Sequence, residues 1–122
     1  MFKDREIIHE ALFRLEQLTG TKSEIISQSD KTDALLTIAD KKMVAEVKSE
    51  VRASNKGMVL SKINELKNNS QVPVLLIANY IASDIATEFQ NKNINYIDTA
   101  GNTFLKVDEL FIFISGQKSR KH

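Results

Sequence analysis

The chain contains no cysteine, two histidines and a single proline among its 122 residues, and no run of 18 apolar residues. Without cysteine it has no disulfide framework and no thiolate metal site. The two histidines, His9 and His122, are too few for a zinc site built from histidine. The short apolar runs exclude a transmembrane helix, and the charged start MFKDREIIHE does not fit a signal peptide. These absences predict a protein of the cytoplasm that does not cross a membrane.

Charges of the two signs almost balance, since 17 basic and 16 acidic residues leave a net charge of +1. Any nucleic-acid surface must therefore come from local patterning of charge. The length suits one domain with a normal core, and we expect a single domain, 1–116, followed by a basic flexible tail, 117–122. A small-molecule enzyme has little support, because the sequence shows neither a Gly-rich phosphate loop nor a nucleophile–base pair.

The spacing of apolar residues predicts an α/β fold. Helical spacing marks three helices, and apolar alternation or short apolar runs mark the strands between them. The run VPVLLIA, with Pro73 at its start, is typical of a central strand covered on both faces. The order α-β-β-β-α-β-α-β, with short strands at the end, predicts a mixed sheet with helices on both faces. The expected helices are 3–18, 57–68 and 82–92, and the expected strands are 22–28, 32–39, 42–50 and 72–78, then strands within NINYIDT, TFLKV and LFIFIS.

The stretch TDALLTIADKKMVAEVKSE carries the residues best suited to chemistry. Side chains alternate between the faces of a strand, so Glu46 and Lys48 share one face, and Asp33 lies in the preceding strand. Oxygen ligands hold Mg²⁺ or Mn²⁺, which can polarise a phosphate and activate a water while a lysine steadies the developing charge. We expect Asp33 and Glu46 to meet at one sheet edge beside Lys48 and to bind the metal together with the Val47 carbonyl. The alternative is a salt bridge on a half-solvated strand.

These residues resemble the motif of the PD-(D/E)xK nuclease superfamily, to which restriction enzymes and archaeal Holliday-junction resolvases belong. Asp33 matches the first acid of the motif, Glu46 the second and Lys48 the lysine, while Thr32 stands where the motif has its proline. The order of helices and strands also agrees with the core of that superfamily. The resemblance implies a restriction-endonuclease-like fold and Mg²⁺- or Mn²⁺-dependent hydrolysis of DNA.

The same resemblance extends to residues outside the motif. In resolvase-like members a glutamate of the N-terminal helix joins the metal site, which makes Glu10 the first candidate here and Glu6 the second. Arg52, Lys56 and Lys62 follow the Glu-x-Lys strand and could neutralise DNA phosphates. A solvated helix face or charged surface is the alternative reading for each of these residues.

A second distinctive stretch is NYIDTAGN, residues 95–102. Gly101 and Asn102 suit a turn, which Asp98 could cap through backbone amides, and Tyr96 or Asn102 could face a ligand. The region INYIDTAGNTFLKVDELFIFISGQK resembles the end of the N-terminal domain of AbiEi-like bacterial regulators, the abortive-infection type IV antitoxins. That resemblance reaches back to the Glu-x-Lys strand and implies DNA-linked regulation; longer members continue into a winged-helix domain.

Two functions therefore compete on the sequence alone. One is a metal-dependent nuclease, or an inactive relative that binds DNA. The other is a non-catalytic regulatory or interaction domain of an antitoxin-like regulator. We also expect a homodimer, because nucleases of this fold commonly pair and the apolar strand LFIFI could lie at an exposed edge.

Overall fold

The computed structural model describes residues 4–28 and 33–118, and for Asp33 it describes the backbone alone. Three helices and seven strands lie in these residues. The helices are α1 (Asp4–Thr19), α2 (Lys56–Asn69) and α3 (Ser83–Asn91); the strands are β1 (Ser23–Gln28), β2 (Asp33–Ile38), β3 (Lys41–Val51), β4 (Val74–Ile81), β5 (Asn95–Asp98), β6 (Thr103–Val107) and β7 (Leu110–Ile114).

The strands form one mixed sheet whose spatial order, β1-β2-β3-β4-β5-β6-β7, is the order of the chain. The first three strands form an antiparallel meander, and the last three strands are also antiparallel. Strands β3, β4 and β5 run parallel to one another. Parallel neighbours need a crossover, and α2 and α3 supply the two crossovers. The predicted α/β class, with a mixed sheet flanked by helices, is confirmed.

The two faces of the sheet carry separate cores. Helix α1 covers one face, where its apolar stripe packs on Met43, Ala45 and Val47 of β3. Helices α2 and α3 cover the other face, where Val59 and Phe89 lie over residues such as Leu76 of β4. Alternate residues of β4 enter the two cores, so β4 is the doubly covered central strand that the sequence predicts.

A two-residue turn fixes the register between β2 and β3. Ala39 and Asp40 both have positive φ, 52° and 67°, as a type I′ hairpin turn requires. Ile38 therefore pairs with Lys41, and the same register runs along both strands. A different loop length would shift the register and move side chains to the other face.

The two edge strands differ in regularity and in exposure. In β1 the register with β2 shifts between Ile25 and Ser27, which leaves Ile26 at an irregularity. In β7 the register with β6 is unbroken over all five residues. Phe111 and Phe113 of β7 are 60% and 49% exposed. The β7 edge is therefore regular and apolar, whereas the β1 edge is interrupted.

The predicted boundary between the domain and the tail falls at Gln117, which is hydrogen-bonded to the rest of the fold. Gln117 is hydrogen-bonded to the Asn102 side chain through both its N–H and its C=O, and residues 119–122 of the predicted tail lie outside the described residues. No helix in the described part of the chain is long and apolar enough to cross a membrane.

Candidate functional site

Glu46 and Lys48 lie on the sheet face that α2 and α3 cover. Val44, two residues earlier in the strand, packs in the core of that face, and alternation places Glu46 and Lys48 on it as well. The Glu46 side chain is 1% exposed, and its Oε2 lies 3.5 Å from Nζ of Lys48, whose side chain is 32% exposed. The pair thus joins a buried carboxylate to an ammonium that reaches solvent.

The backbone register places Asp33 directly opposite Glu46. Opposite positions of an antiparallel pair lie on the same face of the sheet, so all three motif positions share one face. The side chain of Asp33 lies outside the described residues, and the separation of the two carboxylates stays a prediction. Strands β2 and β3 are second and third in the sheet, and the described pairing of β1 with β2 ends at Ala34, one residue after Asp33. The expectation that the two acids meet at a sheet edge stays a prediction.

The other predicted ligands are placed differently. The Val47 side chain is buried in the core beneath α1. Its backbone lies one residue beyond Glu46, the last residue of β3 that pairs with β2 in the described chain. Glu10 and Glu6 lie on α1, which packs against the opposite face of the sheet from Glu46. Roles for the Val47 carbonyl and for Glu10 stay predictions, and for Glu10 the sheet itself separates its helix from Glu46.

Arg52 follows β3 and is fastened on two sides. Its Nε donates to Oε1 of Glu50 at 2.8 Å, and its guanidinium lies 4.7 Å from the centre of the Tyr80 ring. The hydrogen bond that Arg52 donates to Glu50 raises the pKa of Arg52 above its ordinary value. Asn55 organises the same loop by accepting from the Arg52 N–H and donating to the Glu50 carbonyl. The guanidinium stays half exposed at the end of the parallel strands.

The two lysines predicted to contact DNA also pair with acids. Nζ of Lys56 lies 2.9 Å from Oε1 of Glu88, an ion pair that joins α2 to α3. This contact lowers the pKa of Glu88. Nζ of Lys62 lies 3.4 Å from Oε1 of Glu65, one turn further along α2. Binding a phosphate at either lysine would exchange one anionic partner for another.

Asp98 caps the turn after β5, as the sequence predicts. Its Oδ1 accepts hydrogen bonds from the backbone N–H groups of Ala100, Gly101 and Asn102 at 3.0, 3.0 and 2.9 Å. Its Oδ2 accepts from Nδ2 of Asn102 at 2.8 Å. Burial raises the pKa of Asp98 above its ordinary value, and these hydrogen bonds oppose that rise. Both oxygens of the Asp98 carboxylate therefore accept hydrogen bonds from residues of its own turn.

Asn102 fastens the segment after β7 to this turn. Its Oδ1 accepts from the backbone N–H of Gln117 at 2.8 Å, and its Nδ2 donates to the Gln117 carbonyl at 2.9 Å. The sequence marks Asn102 as a turn residue, but nothing local to it indicates a partner 15 residues away. Both the oxygen and the nitrogen of the Asn102 side-chain amide are therefore hydrogen-bonded within the fold.

Neither the described metal-ligating side chains nor the comparisons with family models and solved structures give the site independent support. Among the side chains that the structure describes, no group of three histidine, cysteine, aspartate or glutamate residues could hold a metal ion, and Asp33 is not one of those side chains. Compared with protein-family models and with solved structures, the chain matches none. The resemblances to the nuclease superfamily and to the AbiEi-like regulators stay predictions.

Proposed function

We propose that this chain is a cytoplasmic, DNA-acting domain of the PD-(D/E)xK type, which hydrolyses phosphodiesters with a divalent metal or is a degenerate relative that binds DNA. One observation carries the proposal. The β2–β3 register pairs Asp33 with Glu46, and Lys48 approaches Glu46 at 3.5 Å on the same face. Two acids and a lysine at neighbouring positions of one face are the set that this chemistry uses.

Each residue has a distinct role in the proposed reaction. Asp33, Glu46 and the Val47 carbonyl would hold Mg²⁺ or Mn²⁺ through oxygen. The chemistry that such a metal would supply is polarisation of the phosphate and activation of a bound water as nucleophile. Lys48 is a donor for the attacking water or for the charge that develops on the phosphate. Its ammonium is suited to this role because it is anchored to Glu46 at one side and open to solvent at the other.

Arg52, Lys56 and Lys62 are the proposed phosphate contacts. Their side chains are 53%, 34% and 37% exposed, so a DNA backbone can reach all three. Each already pairs with a carboxylate, which lowers the gain from binding a phosphate. With a net charge of +1, we expect weak binding that falls steeply with salt, since each neutralised phosphate releases counterions.

Metal binding tests the proposal directly. Calorimetric titration with Mn²⁺ is expected to show one weak site in the wild type and none in Glu46→Gln, which keeps the shape of the side chain but not its charge. Glu50→Gln is the matched control, because Glu50 lies on the same strand and is half exposed. Equal Mn²⁺ binding in the wild type and Glu46→Gln contradicts the proposal, and so does equal binding in Asp33→Ala.

The second candidate is a non-catalytic interaction domain of an antitoxin-like regulator, and the β7 edge favours it. Edge strands of soluble proteins are usually protected by charges, proline or bulges. Strand β7 has none of these within Leu110–Ile114, and Phe111 and Phe113 stand exposed beside the ring of Phe104. Antiparallel pairing of two copies about Ile112 would set Phe111 of one copy opposite Phe113 of the other. Such a contact is the same on both copies and closes as a dimer.

Sedimentation across a range of protein concentration tests this dimer. We expect the wild type to dimerise and Phe111→Lys to remain monomeric, because the substitution places a charge on the pairing edge. Phe13→Lys is the matched control, since Phe13 is similarly exposed on α1. A wild type that stays monomeric at the highest concentration contradicts pairing through β7.

A further inference from the structure

A cavity of about 430 Å³ opens beside α3, and its lining includes none of Asp33, Glu46 and Lys48. It lies between the end of β4, one side of α3, β5, the Asp98 turn and residues 115–118. Cavities that bind small molecules typically measure about 300–1,000 Å³, and ligands of open α/β sheets bind at the carboxyl ends of parallel strands. Size and place are both those of a ligand site.

Tyr96 and Gln90 form the polar part of the cavity wall. Nε2 of Gln90 donates to the hydroxyl of Tyr96 at 2.8 Å, so the Tyr96 proton remains to be donated elsewhere. Burial raises the pKa of Tyr96 above 10.0, which keeps that proton in place at neutral pH. Oε1 and the second N–H of Gln90 have no partner in the part of the chain that the structure describes. The cavity wall therefore presents two donors, the Tyr96 hydroxyl and one N–H of Gln90, next to an acceptor, Oε1 of Gln90.

The charged and amide groups of the Asp98 turn are not available to a ligand. Both oxygens of Asp98 accept hydrogen bonds from within the turn, and the Asn102 amide is used by Asp98 and Gln117. Among the described lining residues the cation is Lys118, which is exposed. The guanidinium of Arg52 lies 4.7 Å from the ring of Tyr80, another lining residue, and is paired with Glu50. Because Arg52 already has an acidic partner and Asp98 adds an acid to the lining, the cavity suits an uncharged molecule.

The rest of the wall is apolar or neutral. Ile81 and Ala86 line it, and the Tyr96 ring stacks at 6.2 Å on Phe104 behind it. The amide of Asn79 also lines the cavity and is bound through its Oδ1 to the Thr99 hydroxyl at 2.8 Å. Apolar side chains beside a carboxamide and a phenol fit a heterocycle with adjacent donor and acceptor atoms.

We infer that this cavity binds a nucleobase, carried either by a free nucleoside or by a DNA strand from which it has been extruded. A glutamine carboxamide can pair with the edge of a base through two hydrogen bonds. Enzymes that extrude a base hold it through such edge contacts and by stacking or apolar contact. None of the cavity residues belongs to the Asp33–Glu46–Lys48 set, so the inference does not depend on the proposed metal chemistry.

Titration of the free protein with the four nucleosides in EDTA, followed by amide NMR shifts and calorimetry, tests the inference without metal. We expect one nucleoside to shift amides around Gln90 and Tyr96. Tyr96→Phe removes the hydroxyl and keeps the ring, and it should weaken binding about threefold to tenfold, the effect of one hydrogen bond. Gln90→Leu should weaken it at least as much. Gln17→Leu is the matched control, because Gln17 is an exposed helical glutamine on α1.

A second arm separates the two sources of the base. DNA that carries 2-aminopurine becomes brighter when that base leaves the stack, so a rise that Tyr96→Phe and Gln90→Leu reduce indicates an extruded base. Nucleoside binding without such a rise indicates a free nucleoside. No amide shift with any nucleoside and no fluorescence change overturn the inference, as does binding that neither variant weakens. Folding of each variant is checked by its amide spectrum.

Discussion

Two buried carboxylates lie on the same face of the sheet, and their surroundings differ. Asp98 is 4% exposed and Glu46 is 1% exposed. Asp98 is held by three backbone amides and one side-chain amide of its own turn. Glu46 contacts the ammonium of Lys48, a long side chain whose end reaches solvent. A backbone partner cannot leave without unfolding the turn, whereas a lysine can move. Burial alone therefore does not distinguish a structural acid from a candidate for chemistry, but the nature of the partner does.

The largest expected effect is on DNA cleavage and comes from Lys48, the partner of Glu46 that can move. Lys48→Ala should reduce metal-dependent cleavage of DNA by about 10²- to 10³-fold, the usual loss when one electrostatic donor to the transition state is removed. Metal affinity should change little, because Lys48 is not a proposed ligand. The measurement is cleavage of linear, branched and single-stranded DNA in Mg²⁺ and then in Mn²⁺.

Lys42→Ala is the control for that experiment, since Lys42 is an exposed lysine of the same strand. Equal cleavage in wild type, Lys48→Ala and Asp33→Ala would mean that a contaminant cuts the DNA. No cleavage of any substrate, combined with metal-independent binding of DNA or of a protein, would favour the interaction domain.

The free energy of unfolding should depend more strongly on Asp98 than on Glu46, the reverse of the order expected for catalysis. Asp98→Ala should lower the free energy of unfolding by about 3 kcal/mol, because it leaves backbone amides without their acceptor. Glu46→Gln should change that free energy by less than about 1 kcal/mol, since it keeps the volume and removes a buried charge. Urea unfolding of both variants gives the two values, and a larger loss for Glu46→Gln would reverse the comparison.

A smaller loss of stability is expected at Asn102, whose side-chain amide links the Asp98 turn to the segment after β7. Asn102→Ala removes its side-chain hydrogen bonds to Asp98 and Gln117 and should cost about 2 kcal/mol. Hydrogen exchange should speed up most at the Gln117 amide, which donates to Asn102. Asn68→Ala, at an exposed position of α2, is the control. Unchanged exchange at Gln117 would show that the segment is held by other contacts.

The smallest effect is the pH dependence that Asp98 contributes. Its pKa is raised above the ordinary 3.8, so the folded state favours the protonated form. That contribution to stability is complete below 3.8 and is lost as pH rises through the raised pKa. Asp98→Asn removes it. The wild type minus Asp98→Asn difference in unfolding free energy, measured by urea at several pH values, should fall with rising pH across that window. A difference that rises instead would mean that the turn's hydrogen bonds outweigh burial.

Local sequence predicted the parts of the fold that depend on alternation and on short turns. The parity of β3 placed Glu46 and Lys48 together, and the doubly apolar run after Pro73 marked the central strand. The side of the sheet on which α1 packs is a matter of tertiary handedness, which the periodicity of α1 does not contain. For that reason the sequence could nominate Glu10 without indicating that its helix covers the other face.

The type of the β2–β3 turn and the pairing of Gln90 with Tyr96 were also beyond the sequence pattern. The type I′ turn at Ala39 and Asp40 lacks the Asn-Gly or Asp-Gly signal of such turns, although it sets the Asp33–Glu46 register. The pairing of Gln90 with Tyr96 joins a helix to the following strand. The sequence nominates Tyr96 as a residue that could face a ligand, but it does not indicate Gln90, which has an ordinary role in a helix.

The order of strands in the sheet bears on how the protein forms during synthesis. Each strand after β1 pairs with the strand made immediately before it, so its partner has already left the ribosome when it emerges. No strand has to enter between two that are already joined. The longest waits occur at the two parallel steps, where α2 or α3 must be made before the next strand can pair. The sheet can therefore grow in one direction, from β1 to β7, with each strand paired to its neighbour in the chain.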